Sequence, residues 1–163
     1  MFSQEKYAYA VTTVRIRENS LLSTEFMEQL ISTQSYDEVR QQLFEHGWLS
    51  SNSEDDDEFL QKRLIDSWEL LCEVSPQPEL LKVLVIKNDY HNLKAGIKCS
   101  YTGVSPDKYF IKPCLYDSEE LFTAIKDRKF EKLPEHMQQA AFDAHEVFMR
   151  SHDGQFSDII LDA

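Results

Sequence analysis

The sequence is poor in the residues that interrupt helices. It has four glycines and five prolines in 163 residues, and its apolar residues recur mainly at three- and four-residue spacing. Glycine and proline are the strongest breaks in regular structure, whereas this spacing gathers apolar side chains on one face of a helix. Strand-like alternation is scarce. The sequence therefore predicts an all-α protein.

Cysteine is also scarce. The three cysteines, Cys72, Cys99 and Cys114, are odd in number, lie far apart and form no C-x-x-C pair. This pattern fits neither the disulfide framework of a secreted protein nor a thiolate zinc site. A reducing, cytoplasmic setting is the simpler expectation.

Long apolar runs are missing too. The densest stretch, 80–86, is interrupted by Lys82 and is far shorter than the roughly 20 residues that a bilayer-spanning helix needs. The opening residues, "MFSQEKYAYA", lack the basic start and apolar core of a secretion signal. We expect no direct membrane insertion, so any link to a membrane has to run through another protein.

Positive charge is in short supply. Lysine and arginine number 17 against 29 acidic residues, for a formal net charge of −12. Affinity for nucleic acid comes largely from basic residues that displace counterions from phosphates. Nucleic acid is therefore not an expected partner.

Motifs that carry catalysis are absent from the sequence. There is no P-loop, no dinucleotide fingerprint, no G-x-S-x-G and no H-E-x-x-H, and the five histidines form no i, i+4 pair. The acidic run 50–58 lacks the glycine and ligand spacing of a calcium loop. We predict no catalytic residue, no cofactor and no metal site. A metal-dependent hydrolase centred on Asp89 and His91 is kept as the alternative for an enzyme.

Local signals divide the chain into seven predicted helices. Ser35 with Glu38 and Asp117 with Glu120 form capping boxes that start two of them. Gly47 ends the helix that begins at Ser35, and Gly154 is expected to end the last helix, which Pro134 opens. We expect a first helical bundle over residues 1–103 and the start of a second, partial bundle over 104–163.

A polar cluster interrupts the longest predicted helix at "NDYHN", residues 88–92. Asp89 and Asn92 lie at the edge of the apolar stripe of this helix, which consists of Val83, Ile86, Tyr90, Leu93 and Ile97. A carboxylate there must find donors, because an unpaired buried charge costs several kcal/mol. We interpret Asp89 and Asn92 as a structural clamp to a neighbouring element. Arg15 and Arg17 are the candidate partners, and an adjacent helix end is the alternative.

Aromatic residues in irregular segments are candidates for contact with a partner protein. Trp48, Tyr109 and Phe110 stand outside the strongest helical patterns. Each of them also suits a small satellite core beneath a loop, and the sequence leaves both readings open.

Three stretches in order resemble one known family. They are "EKYAYAVTTVRIRENSLLSTEFMEQLISTQSYDEVRQQLFEHGW", "NDYHNLKAGIKC" and "LPEHMQQAAFDAHEVFMRSHDGQFSDIILD". Together they are similar to the N-terminal portion of the C subunit of V-type ATPases and ATP synthases, called the d subunit in the eukaryotic enzyme. Members of that family are much longer and consist of similar helical bundles. The present chain stops about where another of these bundles would continue.

The resemblance implies a fold and a role. The fold is a funnel of three similar antiparallel helical bundles, of which this chain holds the N-terminal part. The role is that of a non-catalytic subunit between the central stalk and the membrane proteolipid ring, cytoplasmic and peripheral, in a complex that couples ATP to proton or sodium transport. A stand-alone acidic helical adaptor is the alternative from a different class.

Overall fold

A computed structural model describes residues 4–49 and 55–163 of the chain. Within these residues the regular structure is helical throughout, with one short 3₁₀ helix at Phe130–Lys132. This confirms the predicted all-α fold. The helices are α1 (Gln4–Glu18), α2 (Thr24–Ser32), α3 (Tyr36–Glu45), α4 (Asp56–Val74), α5 (Pro78–Thr102), α6 (Ser118–Lys126), α7 (Glu135–Ser151) and α8 (Gly154–Asp162).

The chain forms two compact units, Met1–Pro78 and Glu79–Ala163. The division therefore falls at the start of α5, whereas the sequence placed it between residues 103 and 104. The reason is visible in the packing of α5, whose residues Leu93 and Ile97 are fully buried in one core with α6 and α7. A helix that supplies the centre of a core belongs to the unit that the core defines.

The first unit holds helices α1 to α4, and α3 begins as the sequence predicts. The Ser23 and Ser35 hydroxyls accept hydrogen bonds from the Phe26 and Glu38 amides at the starts of α2 and α3. Gly47 follows α3 with φ of +71°, in the left-handed region that ends many helices. The two serine contacts satisfy amides that a helix start leaves without partners.

Two arginines join α3 and its trailing turn to α4. Arg40 is buried and pairs with Asp56 and with the Tyr36 hydroxyl. Arg63 donates to the Gly47 and Trp48 carbonyl oxygens at 2.7 Å, and its guanidinium lies 5.4 Å from the centre of the Trp48 ring. Arginine suits both tasks because its planar group donates several hydrogen bonds and stacks on aromatic faces.

The second unit is built around a continuous apolar core. Its buried residues come from α5, α6, the 3₁₀ helix, α7 and α8: Leu93, Ile97, Leu121, Ala124, Ile125, Phe130, Leu133, Met137, Ala141, Ala144, Phe148 and Leu161. Small residues of α7, Ala141 and Ala144, share this core with larger side chains of α5 and α6. The core extends to Leu161, so α8 is part of the unit.

Two expectations from the sequence are wrong in this unit. Gly154 does not end a helix: His152 takes the left-handed position after α7, with φ of 55°, and Gly154 is the first residue of α8. Asp153 caps α8 by accepting from the Gln155 amide. In addition, Val83 is exposed, so the apolar stripe of α5 leaves the core before reaching the helix start.

Gly96 generates the first prediction, because a methyl group there would stand 2.6 Å from Cδ1 of Ile125. We expect Gly96→Ala to destabilise the protein by about 1 to 2 kcal/mol, since overpacking outweighs the better helix propensity of alanine. Ile125→Val alone should cost about 1 kcal/mol. Urea unfolding of all four proteins measures the coupling between the two positions.

The two changes should not add. Ile125→Val removes the atom that the new methyl group meets, so the double variant should be no less stable than Gly96→Ala alone. Strictly additive losses would contradict the close approach of α5 and α6 at this point.

Candidate functional site

The polar cluster of α5 holds the irregular segment that leads to α6. Asn88 to Asn92 are five consecutive helical residues, so their side chains point in five directions around the helix. Four of them bind backbone groups in the segment 109–116, and the remaining one reaches α7. The cluster is therefore a site of attachment within the second unit.

Asp89 binds the end of this segment. Its side chain is buried, and Oδ1 accepts hydrogen bonds from the amides of Leu115 and Tyr116 at 2.9 and 3.0 Å. Hydrogen bonds to a charged partner contribute about 1.5 to 3 kcal/mol. The two amides supply the donors that a carboxylate at this depth requires. They precede the N-cap of α6, Asp117, by one or two residues.

Asn92 binds the middle of the segment with both ends of its side-chain amide. Nδ2 donates to the carbonyl oxygen of Ile111 at 3.0 Å, and Oδ1 accepts from the amide of the same residue at 2.8 Å. The Asn92 side chain is almost completely buried. It thus gives Ile111 the two hydrogen bonds that a neighbouring strand would give it in a sheet.

The flanking residues complete the attachment. Asn88 Nδ2 donates to the Pro113 carbonyl at 2.7 Å, and His91 Nε2 donates to the Tyr109 carbonyl at 3.1 Å. Contacts thus fall on residues 109, 111, 113, 115 and 116, along the whole of this irregular segment. The Tyr90 hydroxyl donates to the carbonyl oxygen of His136 at 3.1 Å, which ties α5 to the first turn of α7.

The arrangement is one of support. The hydrogen bonds described for Asp89, His91 and Asn92 run to main-chain groups of the same unit. Catalysis by a general acid or base requires a group within reach of a substrate proton. Among residues 4–49 and 55–163, no three histidine, cysteine, aspartate or glutamate side chains gather into a group that would hold a metal ion.

The other residues predicted for the clamp lie in the first unit. Arg15 forms an ion pair with Glu18 at 2.8 Å on the exposed surface of α1, and Arg17 is exposed near the end of the same helix. Their part in a clamp stays a prediction. The sequence reasoning did not name Arg40 and Arg63, which do join helices, because an arginine on an amphipathic helix carries no local mark of its partner.

The three aromatic candidates for an interface occupy different surroundings. Trp48 is half-buried against Arg63 and Phe59, while Phe110 is half-buried at the edge of the second core, with its ring 6.4 Å from that of Phe122. The side chain of Tyr109 is exposed, and it is the main-chain carbonyl of Tyr109 that accepts the hydrogen bond from His91. A role for these residues in binding a partner stays a prediction.

His145 on α7 is a buried titratable group beside the second core. Its ring lies 5.3 Å from the ring of Phe130. Burial, followed by the nearby charge of Arg128, lowers the pKa of His145 below its usual value, and Glu146 opposes this shift. The folded protein therefore favours the neutral imidazole.

Comparison with known proteins assigns the chain to a family. The model of the ATP synthase (C/AC39) subunit family matches residues 10–163. The chain belongs to this family, which confirms the resemblance found in the sequence.

A curated relative agrees with this assignment. The C subunit of the V-type sodium ATPase of Enterococcus hirae is 29% identical over 153 residues, which cover 91% of this chain and 47% of that protein. The chain thus spans about half the length of the relative. No solved structure matches the chain. In the described part of the chain, every helix is too short or too polar to cross a membrane.

Asp89 generates the second prediction. Asp89→Ala should destabilise the protein by about 3 kcal/mol, because the Leu115 and Tyr116 amides lose their acceptor in a buried place. Asp89→Asn keeps an oxygen in the same position and should cost about 1 kcal/mol. Chemical unfolding measures the loss, and hydrogen exchange of the two amides shows whether it arises there.

The matched control is Glu119→Ala, which removes an exposed carboxylate from α6. It should change stability by less than about 0.5 kcal/mol. Unchanged protection of the Leu115 and Tyr116 amides in Asp89→Ala would contradict the assigned contacts.

His145 generates the third prediction. Since its pKa is lower in the folded protein than in the unfolded chain, the unfolded state takes up the proton first as the pH falls. The contribution to stability is complete above the usual pKa of 6.5 and is lost as the pH falls from there through the folded value. His145→Leu should weaken this decline in the free energy of unfolding.

The control for this measurement is His136→Gln, which alters an exposed histidine on the same helix. It should leave the decline of the wild-type protein in place. A His145→Leu protein with the full wild-type decline would assign the pH dependence to other groups.

Proposed function

We propose that the chain is a non-catalytic subunit that links the central stalk of a V-type ATPase to the proteolipid ring in the membrane. The observation that carries the proposal is the family match, which extends over residues 10–163. In this role the protein passes torque between ATP hydrolysis and the transport of protons or sodium ions. The relative from Enterococcus hirae is named as a subunit of a sodium ATPase.

The structure of the second unit suits a mechanical task. A long helix, α5, is held to the segment 109–116 and to α7 by hydrogen bonds from five consecutive side chains. Contacts of this kind resist sliding, because each one fixes both the position and the direction of its partner. A coupling element needs this stiffness, and it needs no group that reacts with a substrate.

The charge of the chain favours partners with basic surfaces. At a net charge of −12, long-range attraction speeds encounter with such surfaces and selects the orientation of approach more than it adds affinity. We therefore propose attachment at the cytoplasmic face of the membrane through the other subunits. The chain spans about half of the relative's length. In this proposal, the complete surface that receives the stalk therefore belongs to a larger protein.

The fourth prediction tests the role directly. The chain, tagged at its own locus, should co-purify with stalk and proteolipid subunits, and the isolated chain should show no ATP hydrolysis. Depleting it should lower ion transport more than ATP hydrolysis in membrane vesicles, because the linkage fails while the catalytic sites remain. The measurement is the ratio of ions moved to ATP consumed.

The control is depletion followed by expression of the wild-type chain, which should restore the ratio. An ATPase complex that purifies intact and fully coupled without the chain would overturn the proposal. Recovery with proteins unrelated to the ATPase would instead favour an adaptor.

A further inference from the structure

One face of α5 runs the full length of the helix and carries a distinct pattern. At about 100° per residue, seven side chains between residues 80 and 98 fall within roughly 60° of a common line along the helix. They are Leu80, Val83, Leu84, Lys87, His91, Lys94 and Lys98. The face is thus apolar over its first turns and basic over the rest, in a chain whose net charge is −12.

Helix α8 pairs with the last part of this face. Lys98 pairs with Asp158 at 2.7 Å, and Lys94 pairs with Asp162. As the residue numbers fall on α5 they rise on α8, so the two helices run antiparallel along the face. The four-residue spacing on both helices places successive ion pairs one turn apart.

The first part of the face has no such cover. Leu80, Val83 and Leu84 are 68%, 75% and 58% exposed. Lys87 is also exposed, and no carboxylate in the described residues pairs with it. Three large apolar side chains grouped on successive turns, next to an unpaired lysine, are typical of a surface that binds another helix.

The chemistry of a helix that would bind the uncovered half can be inferred from the half that α8 already covers. On α8, carboxylates spaced four residues apart face the lysines, while Leu161 and Ser157 are buried on the core side. The uncovered half continues with one more lysine and then with apolar side chains. A complementary helix therefore carries a carboxylate first and apolar residues three, four and seven positions later.

A second copy of the chain fits this surface less well. In a two-fold contact the face meets its own copy, and none of Leu80, Val83, Leu84 and Lys87 is acidic, so Lys87 gains no carboxylate. A partner helix with a carboxylate opposite Lys87 adds a charge pair to the same apolar contact, and the negative surroundings make that lysine a selective contact point.

We propose that Leu80, Val83, Leu84 and Lys87 form the docking surface for an amphipathic helix of a partner protein, laid antiparallel to α5 and in line with α8. The partner helix presents an acidic residue to Lys87 and an apolar stripe to Leu84, Val83 and Leu80. This proposal holds whether or not the chain lies between the stalk and the proteolipid ring.

The fifth prediction uses a defined probe. The probe is a fluorescent, stapled helical peptide that carries one aspartate and, on the same face, leucines three, four and seven residues after it. It should bind the full chain saturably in a fluorescence anisotropy titration. Lys87→Glu and Val83→Asp should each weaken binding at least about tenfold, because they remove the charge pair and the apolar contact.

The matched control is Lys82→Glu, which makes the same charge change on the opposite side of α5. It should leave affinity within about twofold of the wild type, which separates local pairing from the general effect of net charge. A peptide with lysine in place of its aspartate should recover binding to Lys87→Glu. Circular dichroism of the variants checks that their folds are intact, which is expected because both altered side chains are exposed.

Three results would overturn the proposal. The first is no saturable binding of the peptide to the wild-type chain. The second is an equal loss of binding in Lys82→Glu and Lys87→Glu. The third is a dimer in analytical ultracentrifugation that Val83→Asp abolishes, which would assign the face to a second copy of the chain.

Discussion

A buried carboxylate must be met by donors, and much of the second unit is arranged around that requirement at Asp89. The Leu115 and Tyr116 amides meet it, which places the chain at the entrance to α6. Helix α6 then supplies Leu121 and Ile125 to the core shared with α5. Through this one interaction a polar side chain determines where an apolar helix packs, so the polar and apolar parts of the unit depend on each other.

The two units use different polar chemistry for the same purpose. In the first unit, Arg40 and Arg63 join α3 and its trailing turn to α4. In the second, Asn92 and its neighbours bind main-chain groups of an irregular segment. Arginine reaches across a gap between helices, whereas asparagine holds an irregular segment against a helix surface. Both devices limit movement between the elements that they join.

Much of the fold could be predicted because its signals are local. The caps at Ser35 and Asp117 depend on residues two or three positions apart, and the structure has both. Asp89 and Asn92 stood out because polar groups beside an apolar stripe need partners. The partners seen within the second unit are main-chain groups, which leave no mark in the sequence, so the sequence offered only arginines or an adjacent helix end as candidates. The stop residue of α7 was misassigned because His152, and not the glycine nearby, adopts the left-handed conformation.

The two hydrogen bonds between the Asn92 side chain and Ile111 have an evolutionary consequence. They hold Ile111 through the peptide groups that every residue possesses, so replacing the Ile111 side chain would leave both contacts in place. Inserting or deleting a single residue in the segment 109–116 would instead displace main-chain groups from the side chains of α5 that bind them. Selection on this stretch should therefore act on its length more strongly than on its composition.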